Sequence, residues 1–498
     1  MSIFSEKLTR LMNEKNITAY GLERLGFLKR TTITKYANGK SKPPDKESLE
    51  ELIRMMALGT EEADELREAY AITKIGEPIY FRRKHVEDLL KVINNTTVYP
   101  FELERHSCLQ LKRDVECITG KVNIVNILSV ILSSEAEEPA PAIRIAAQPE
   151  SNRELMSFLT TIASTEPGLE IEHIFCIDNK SVNEDNAYNI NVLKEIMPLI
   201  VSGVSYTPYY YYEDVRSHIN QFSSFPNVVI TSKYMMLISY SLDRAVVSGF
   251  EELIGMQRDI FEDLKKGCDK YIQALPGPLD ILSYYEQVVD GTDNIIPDFS
   301  VMPDPCLFPF LDENIMRKYA RFDLPNIDAA VELLIDRVRR YREGMEKKAE
   351  ISFCTKKGFK EFMETGRITE IPSIYYTPFD PEVRLLMVKR LYRAMKKGTY
   401  KLKILDDKFN IRNISFACYN EYSMTYCYNH PIKGMLAFGF RERSTVTSIY
   451  DYFTTLEEQQ LLLSDAETER FVLDILENRG GDSNKRCIIK TISERRSV

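Results

Sequence analysis

The chain has 498 residues, 44% of them hydrophobic and 28% charged, with a formal net charge of −9; that size divides into about two to four domains, and the composition is that of an ordinary globular protein. No run of about eighteen apolar residues is present, and the N-terminal "MSIFSEKLTRLMNEKN" carries charges throughout instead of an apolar signal core, so the expectation is a cytoplasmic protein with no membrane partner. The nine cysteines form no CxxC pair and no Cys/His set with zinc spacing, so free thiols, no metal site and no cofactor are expected.

The net charge hides an asymmetry. Residues 1–43 hold nine Lys/Arg and three Asp/Glu, a local charge of +6, while the remainder holds 56 against 71, or −15. A basic head on an acidic body is the electrostatic footprint of a segment that meets nucleic acid.

The head reads as five helices. In the first, Phe4, Leu8, Leu11 and Met12 share one face. Thr18 is placed to cap a short second helix containing Leu22 and Leu25. Gly26 opens the turn "GFLK", and a third helix runs from about Arg30 to Asn38 with Ile33 and Tyr36 inward. Gly39 suits a left-handed C-cap, and Pro43 and Pro44 forbid continuation. Asp45 caps a fourth helix with Leu49, Leu52, Ile53 and Met56 at helical spacing. A fifth begins at Thr60, with Glu61 and Glu62 favoured by the helix dipole.

This succession resembles the Cro/repressor (XRE-type) helix-turn-helix family. The resemblance covers about residues 3–70 and rests on "NIT…L" at 16–22, "KRTTITKYANGKSKP" at 29–43 and "SLEELIRMMAL". It departs from the family at Glu23, where a small residue is usual, and at Ala19, where a phosphate-binding Gln is common. It implies duplex operator DNA as partner and a homodimer, since one head offers few base contacts and paired heads meet half-sites about 34 Å apart. The side chains suit that role. Arg30 can grip a guanine edge or a phosphate, and Thr31 and Thr32 can meet phosphate or a thymine methyl. Asn38, Lys40 and Lys42 leave the helix where the duplex backbone would pass. The candidate DNA-binding set is Thr18, Lys29, Arg30, Thr31, Thr32, Thr34, Lys35, Asn38, Lys40 and Lys42. The plainer alternative is a solvated basic face on a small helical bundle.

The body reads as helices, then alternating strands and helices. Residues 78–135 are helical in pattern, with "EAEEPAPAI" as a linker or an exit into a strand. "AIRIAAQ", "LEIEHIFCI", "NVVITS", "MMLISYSL" and "RAVVSGF" read as strands separated or followed by helices. "EISFCT", "YKLKILD", "NISFACYN", "SMTYCYN" and "GMLAFGF" replay them, after a proline-broken connector "DGTDNIIPDFSVMPDPCLFPF". Two details suggest an internal repeat. "YYYYEDVRSHI" parallels "YYTPFDPEVRLLM", and "VVSGF" before a helix parallels "LAFGF" before another. The expected fold is therefore α+β and multidomain. An all-α helix-turn-helix domain (1–75) precedes a helical connector and dimerisation segment (78–135), two α/β units (140–290 and 320–478) and a flexible basic tail (479–498).

The arrangement is loosely similar to the duplicated phospholipase D-like fold, whose chemistry needs a His, a Lys two residues on and an Asp, once per half. None of the five histidines begins HxK; the nearest is "HPIK" at His430 and Lys433. The resemblance therefore implies a body without that active site. The whole also resembles large XRE-type regulators from Firmicutes with a similar "GRITEIPSIYYTPF…GTYKLKIL" region, which supplies no ligand.

Other motifs are poor in chemistry. There is no GxGxxG after a strand, no phosphate-binding GxxxxGK[ST] loop and no HExxH. The acidic "DNKSVNEDN" lacks the central Gly and closing Glu of a calcium loop. The run "YTPYYYYED" either lines a ligand pocket or buries alternate rings in a core. The reading carried forward is a non-enzymatic, sequence-specific DNA-binding transcriptional regulator whose body dimerises or senses an unknown small molecule or protein. The alternatives are an enzyme or defence-type effector targeted by the head, and an interaction scaffold.

Overall fold

The computed structural model of the chain describes residues 2–26, 28–95, 111, 113–165, 168–179, 187–215, 224–277, 280–281, 284, 295–324, 327–409, 411–430 and 433–479. They form 16 α-helices and two mixed sheets, a helical N-terminal region followed by an α/β body. Two units are distinguished, one comprising Met1–His85 and a larger one beginning at Val86.

In the first unit α1 (Ile3–Glu14), α2 (Ala19–Arg24), α3 (Arg30–Ala37), α4 (Lys46–Met55) and α5 (Thr60–Ile75) follow in order. Ser2, Thr18 and Asp45 cap α1, α2 and α4 by accepting from the backbone N–H of Ser5, Gly21 and Ser48. Each satisfies one of the donors that a helix start leaves unpaired. Phe4, Leu8, Leu11, Leu22, Ile33, Leu49, Leu52 and Leu66 make one core. Leu25 departs from expectation. It falls at the C-cap of α2, where Gly26 turns the chain at φ 102°, and it stays exposed.

The body contains the same seven-strand plan twice. The first sheet uses β1 (Val115–Thr119), β2 (Ala142–Ala146), β3 (Glu170–Asp178), β4 (Ser205–Glu213), β5 (Asn227–Ile230), β6 (Met235–Ile238), β7 (Arg244–Ser248) and the short β8 (Asp269–Lys270). Its order is β1-β7-β6-β5-β2-β3-β4-β8. The second uses β9 (Ile272–Ala274), β10 (Phe299–Val301), β11 (Glu350–Thr355), β12 (Tyr400–Leu405), β13 (Ile414–Asn420), β14 (Ser423–His430) and β15 (Gly434–Phe440), in order β12-β11-β10-β13-β14-β15-β9. Taken in chain order, β1 to β7 correspond to β9 to β15. In both sheets the second, third and fourth strands of the series are parallel neighbours, and every remaining pairing along the series is antiparallel.

The segment read as a connector supplies β10, the counterpart of β2, and β1 lies within 78–135, where helix was expected. The "VVSGF" and "LAFGF" parallel falls on corresponding strands, β7 and β15. The "YYYYEDVRSHI" parallel does not. Tyr209–Glu213 lies in β4, whose counterpart is β12, whereas 375–387 leads into a helix.

One face of each sheet joins a common core. Ile145, Phe175, Tyr210 and Val247 of the first share it with Val301, Phe353, Phe416 and Phe440 of the second. α7 (Lys121–Ala136), α8 (Arg153–Thr165) and α9 (Ala187–Val201) contribute to the same core. The last four core residues of α6 (Glu77–Asn95), Val86, Leu89, Leu90 and Ile93, enter the same core. Many apolar positions of α6 and α7 are thus spent on the chain's own interior. The other face of the first sheet carries α10 (Glu251–Lys265). The other face of the second carries α11 (Glu313–Tyr319), α12 (Ile327–Met345), α13 (Lys356–Thr365), α14 (Pro381–Lys397) and α16 (Asp465–Arg479). α15 (Arg443–Thr454) follows β15 and packs on the common core.

Candidate nucleic-acid interface

The third helix presents a narrow polar stripe. Ile33 and Tyr36 are buried, which turns Arg30, Thr31, Thr34, Lys35 and Asn38 outward; Thr32 is half-buried between the two faces. Lys29 is the N-cap but has no oxygen to offer the helix start. Glu23 fills that role from α2, its Oε1 accepting from the Arg30 backbone N–H at 2.9 Å. This carboxylate, unusual for the resembled family, therefore braces α2 against α3. It is the residue the sequence reading missed. The signal was a helix start without a side-chain acceptor and a stray acid seven residues upstream.

The far end of the stripe is pinned. Asn38 is the C-cap and Gly39 adopts φ 70°. A Cβ on Gly39 would stand 3.0 Å from Ser5 Oγ, so α1 and the exit of α3 approach closely there. Thr9 Oγ1 donates to the Ala37 carbonyl at 3.0 Å, and the Tyr70 hydroxyl donates to the Pro43 carbonyl at 3.0 Å. Lys40 and Lys42 project from this held segment, with the Lys42 ammonium donating to the Thr73 carbonyl at 3.2 Å. Thr34 spends its hydroxyl proton on the Arg30 carbonyl at 2.8 Å, leaving its oxygen as an acceptor. Thr18 is exposed at the start of α2.

The nine cations of residues 1–43 divide into two groups. Those on or just after α1 are paired: Lys7 with Glu65, Arg10 with Glu14 at 2.7 Å, and Lys15 with Glu62 at 2.8 Å. Among the described residues, Arg24, Lys29, Arg30, Lys35, Lys40 and Lys42 make no ion pair, and all six are exposed. Within residues 1–43, unpaired positive charge therefore lies on α2, α3 and the exit of α3; Lys46 and Arg54 of α4 and Lys74 of α5, also exposed, likewise make no ion pair among the described residues.

The body offers less chemistry. In a sheet with parallel strands, ligands commonly sit beyond the strand carboxyl ends, here those of β2 and β3. The polar groups at that edge bond one another. Gln148 accepts from Cys176 N–H at 2.8 Å, and Asn189 accepts from Asp178 N–H at 2.8 Å. The start of α15 then closes over them. Asn189 Nδ2 donates to Ser444 Oγ at 2.7 Å, Tyr271 and Thr445 share a 2.7 Å hydrogen bond, and Tyr212 donates to Glu442 at 2.8 Å. Burial pushes the Cys176 thiol up to about 12, which removes it as a nucleophile. No group of His, Cys, Asp and Glu with metal-binding geometry occurs among the described residues.

The "HPIK" histidine has a local role. His430 Nδ1 accepts from the Lys433 N–H at 2.9 Å, and the Lys433 ammonium donates to the Gly203 carbonyl at 2.7 Å. His173 is wholly buried between the Tyr206 hydroxyl and the Ala147 carbonyl, and burial lowers it to about 4. The tyrosine run occupies β4, with Tyr206 and Tyr210 in the common core and Tyr209 and Tyr211 against the opposite face. Of "DNKSVNEDN", residues 180–186 lie outside the described residues, as does most of the basic tail.

No protein-family model and no curated protein matches the chain. Among solved structures it is similar to an archaeal chromatin protein, TrmBL2, described as showing a novel mode of DNA binding. The identity is 11%, over 53% of this chain and 99% of that one, with a TM-score of 0.20. It is also similar to phosphatidylserine synthase from Haemophilus influenzae Rd KW20, at 10% identity over 82% of this chain and 97% of that one, with a TM-score of 0.24. At such scores neither likeness carries an argument about fold or function.

Proposed function

We propose that the chain is a sequence-specific DNA-binding transcriptional regulator of the XRE type. Its head would contact an operator through α3, and it would act as a homodimer. The observation that carries this reading is the division of the head's cations. Within residues 1–43, the six cations on α2, α3 and the exit of α3 are unpaired, while the three on or just after α1 are neutralised by acids within the unit. Positive charge left without an internal partner is what phosphate contacts require, and each neutralised phosphate releases counterions. Arg30, Thr31 and Lys35 are the base-facing candidates, and Lys29, Asn38, Lys40 and Lys42 the phosphate-facing ones. Thr18, Thr32 and Thr34 complete the set as hydroxyls beside them.

The test is selection of bound sequences from a random duplex pool at a fixed salt near 150 mM. Wild type would be run beside the Arg30→Ala, Lys35→Ala double variant. A palindrome enriched by wild type and lost in the variant supports a dimeric operator-binding protein. Equal, unenriched retention by both overturns the reading.

A further inference from the structure

α10 has two apolar faces. One packs Ile254 and Phe261 onto the first sheet. Lys265 holds Glu172 at 2.9 Å, and Arg258 donates to the Thr231 and Ser232 carbonyls, so the orientation of the helix is fixed. On the outward side Met256, Ile260 and Leu264, one turn apart, are 53%, 50% and 43% exposed. Phe250, at the N-cap, is 44% exposed. The corresponding helix of the second half, α15, buries Val446, Ile449, Tyr452 and Phe453 in the core. A stripe of this length facing water marks a docking surface rather than scattered surface apolarity.

Its rim and its area narrow the occupant. Glu251, Glu252 and Asp259 make no ion pair among the described residues, and Asp263 has only Lys266, at 2.8 Å. The rim therefore favours positive charge. Four large side chains at about half exposure amount to something on the order of 350 Å². A stable dimer needs roughly 800 Å² from each partner. The stripe is too small for a second copy of the body and suits a short apolar segment with basic flanks. The sequence holds such a segment beyond α16. "KRCIIKTISERRSV", residues 485–498, combines Ile488, Ile489 and Ile492 with five cations and one acid. Ile488, the first isoleucine of the segment, lies nine residues beyond Arg479, about 30 Å when extended.

We propose that residues 485–498 dock on the Met256–Ile260–Leu264 stripe of α10, their isoleucines covering it and their cations facing Glu251, Glu252 and Asp259. This stands independently of DNA binding by the head.

The chain contains no tryptophan, so one can be introduced as a single reporter. The full-length Ile492→Trp protein should emit at shorter wavelength than a free peptide of residues 480–498 with the same substitution, and should resist quenching by acrylamide. Adding Ile260→Glu, or separately Met256→Glu, should return both properties to those of the free peptide. Both positions are half exposed, so the fold should survive, and circular dichroism checks that it does. Emission matching the free peptide in the Ile492→Trp protein overturns the proposal. So does shielding that neither charge substitution relieves, or shielding that arises only when duplex DNA is added.

Discussion

The Tyr212 hydroxyl donates to the Glu442 carboxylate at 2.8 Å, joining the last parallel strand of the first half to the helix that closes the second. Glu442 is almost fully buried and also caps α15, accepting from the backbone N–H of Ser444 and Thr445. A buried carboxylate with several donors is well satisfied, and the loss of one donor is less serious than the loss of the acid itself. Tyr212→Phe should destabilise the body by about 1 kcal/mol, and Glu442→Ala by about 3 kcal/mol, since the latter strands several donors. Urea denaturation of the full chain, followed by far-UV circular dichroism, would rank the two; equal effects would contradict the arrangement.

Arg30 begins the outward stripe of α3. Arg30→Ala should weaken specific binding by about 1–3 kcal/mol and relax base preference at one position of the half-site. Lys40→Ala should instead weaken binding to all sequences alike and reduce the salt slope by about 1. Titrations against the selected operator and its single-base variants, at several salt concentrations, separate these outcomes.

Glu23 supplies the cap that Lys29 cannot. Glu23→Ala should cost the head about 1 kcal/mol, seen as roughly fivefold faster hydrogen exchange at the start of α3. Glu23→Gln keeps an acceptor oxygen and should retain most of the protection. If alanine and glutamine behave alike, the carboxylate does not brace the helix.

Three carboxyls in the second half, Asp304 and Glu350 buried and Glu370 half-buried, set a pH dependence. Glu370 accepts from the Leu307 and Phe308 N–H groups, Glu350 from Ser300 and Tyr341, and Asp304 from Thr369. Burial raises Asp304 to about 6, Glu350 to about 7 and Glu370 to about 8. Each group holds its proton more tightly folded than unfolded, so the folded state binds more protons between about pH 4 and 8. Stability from these groups is therefore full below about pH 4 and is lost progressively as pH rises through 6 to 8. The thermal midpoint of the body should fall between pH 6 and pH 9. Glu370→Gln should flatten that fall and narrow the difference from wild type at pH 6. A midpoint that rises over this range would contradict the assignment.

Much of the head was legible because its determinants are local. Thr18 and Asp45 announce helix starts through their own side chains, Gly39 announces a stop, and the spacing of Leu49, Leu52 and Ile53 fixes a buried face. The role of Glu23 was not legible, because its partner lies across a turn whose geometry no periodicity reveals. In the body, strands such as β3 and β14 are long enough to show their residue types. β10 has three residues, Phe299–Val301, among prolines, and no pattern is visible at that length. Its strand character comes from its neighbours: it pairs with β11 on one side and β13 on the other. The strand β1, five residues within 78–135, was hidden for a similar reason. α6 and α7 have apolar faces as expected, but only the tertiary structure shows that the chain itself covers them.

The repeated strand order also alters how such a molecule can change over generations. In an assembly of two identical subunits, any substitution falls on both sides of the junction at once, and an adjustment good for one side must be tolerated by the other. Here the two sides are encoded separately. Glu442 and Tyr212 meet from different halves, and neither needs a mirror-image counterpart. The junction can become lopsided one residue at a time: the start of α15 lies over the strand ends of the first sheet, whereas α10, its counterpart in chain order, packs on that sheet's other face.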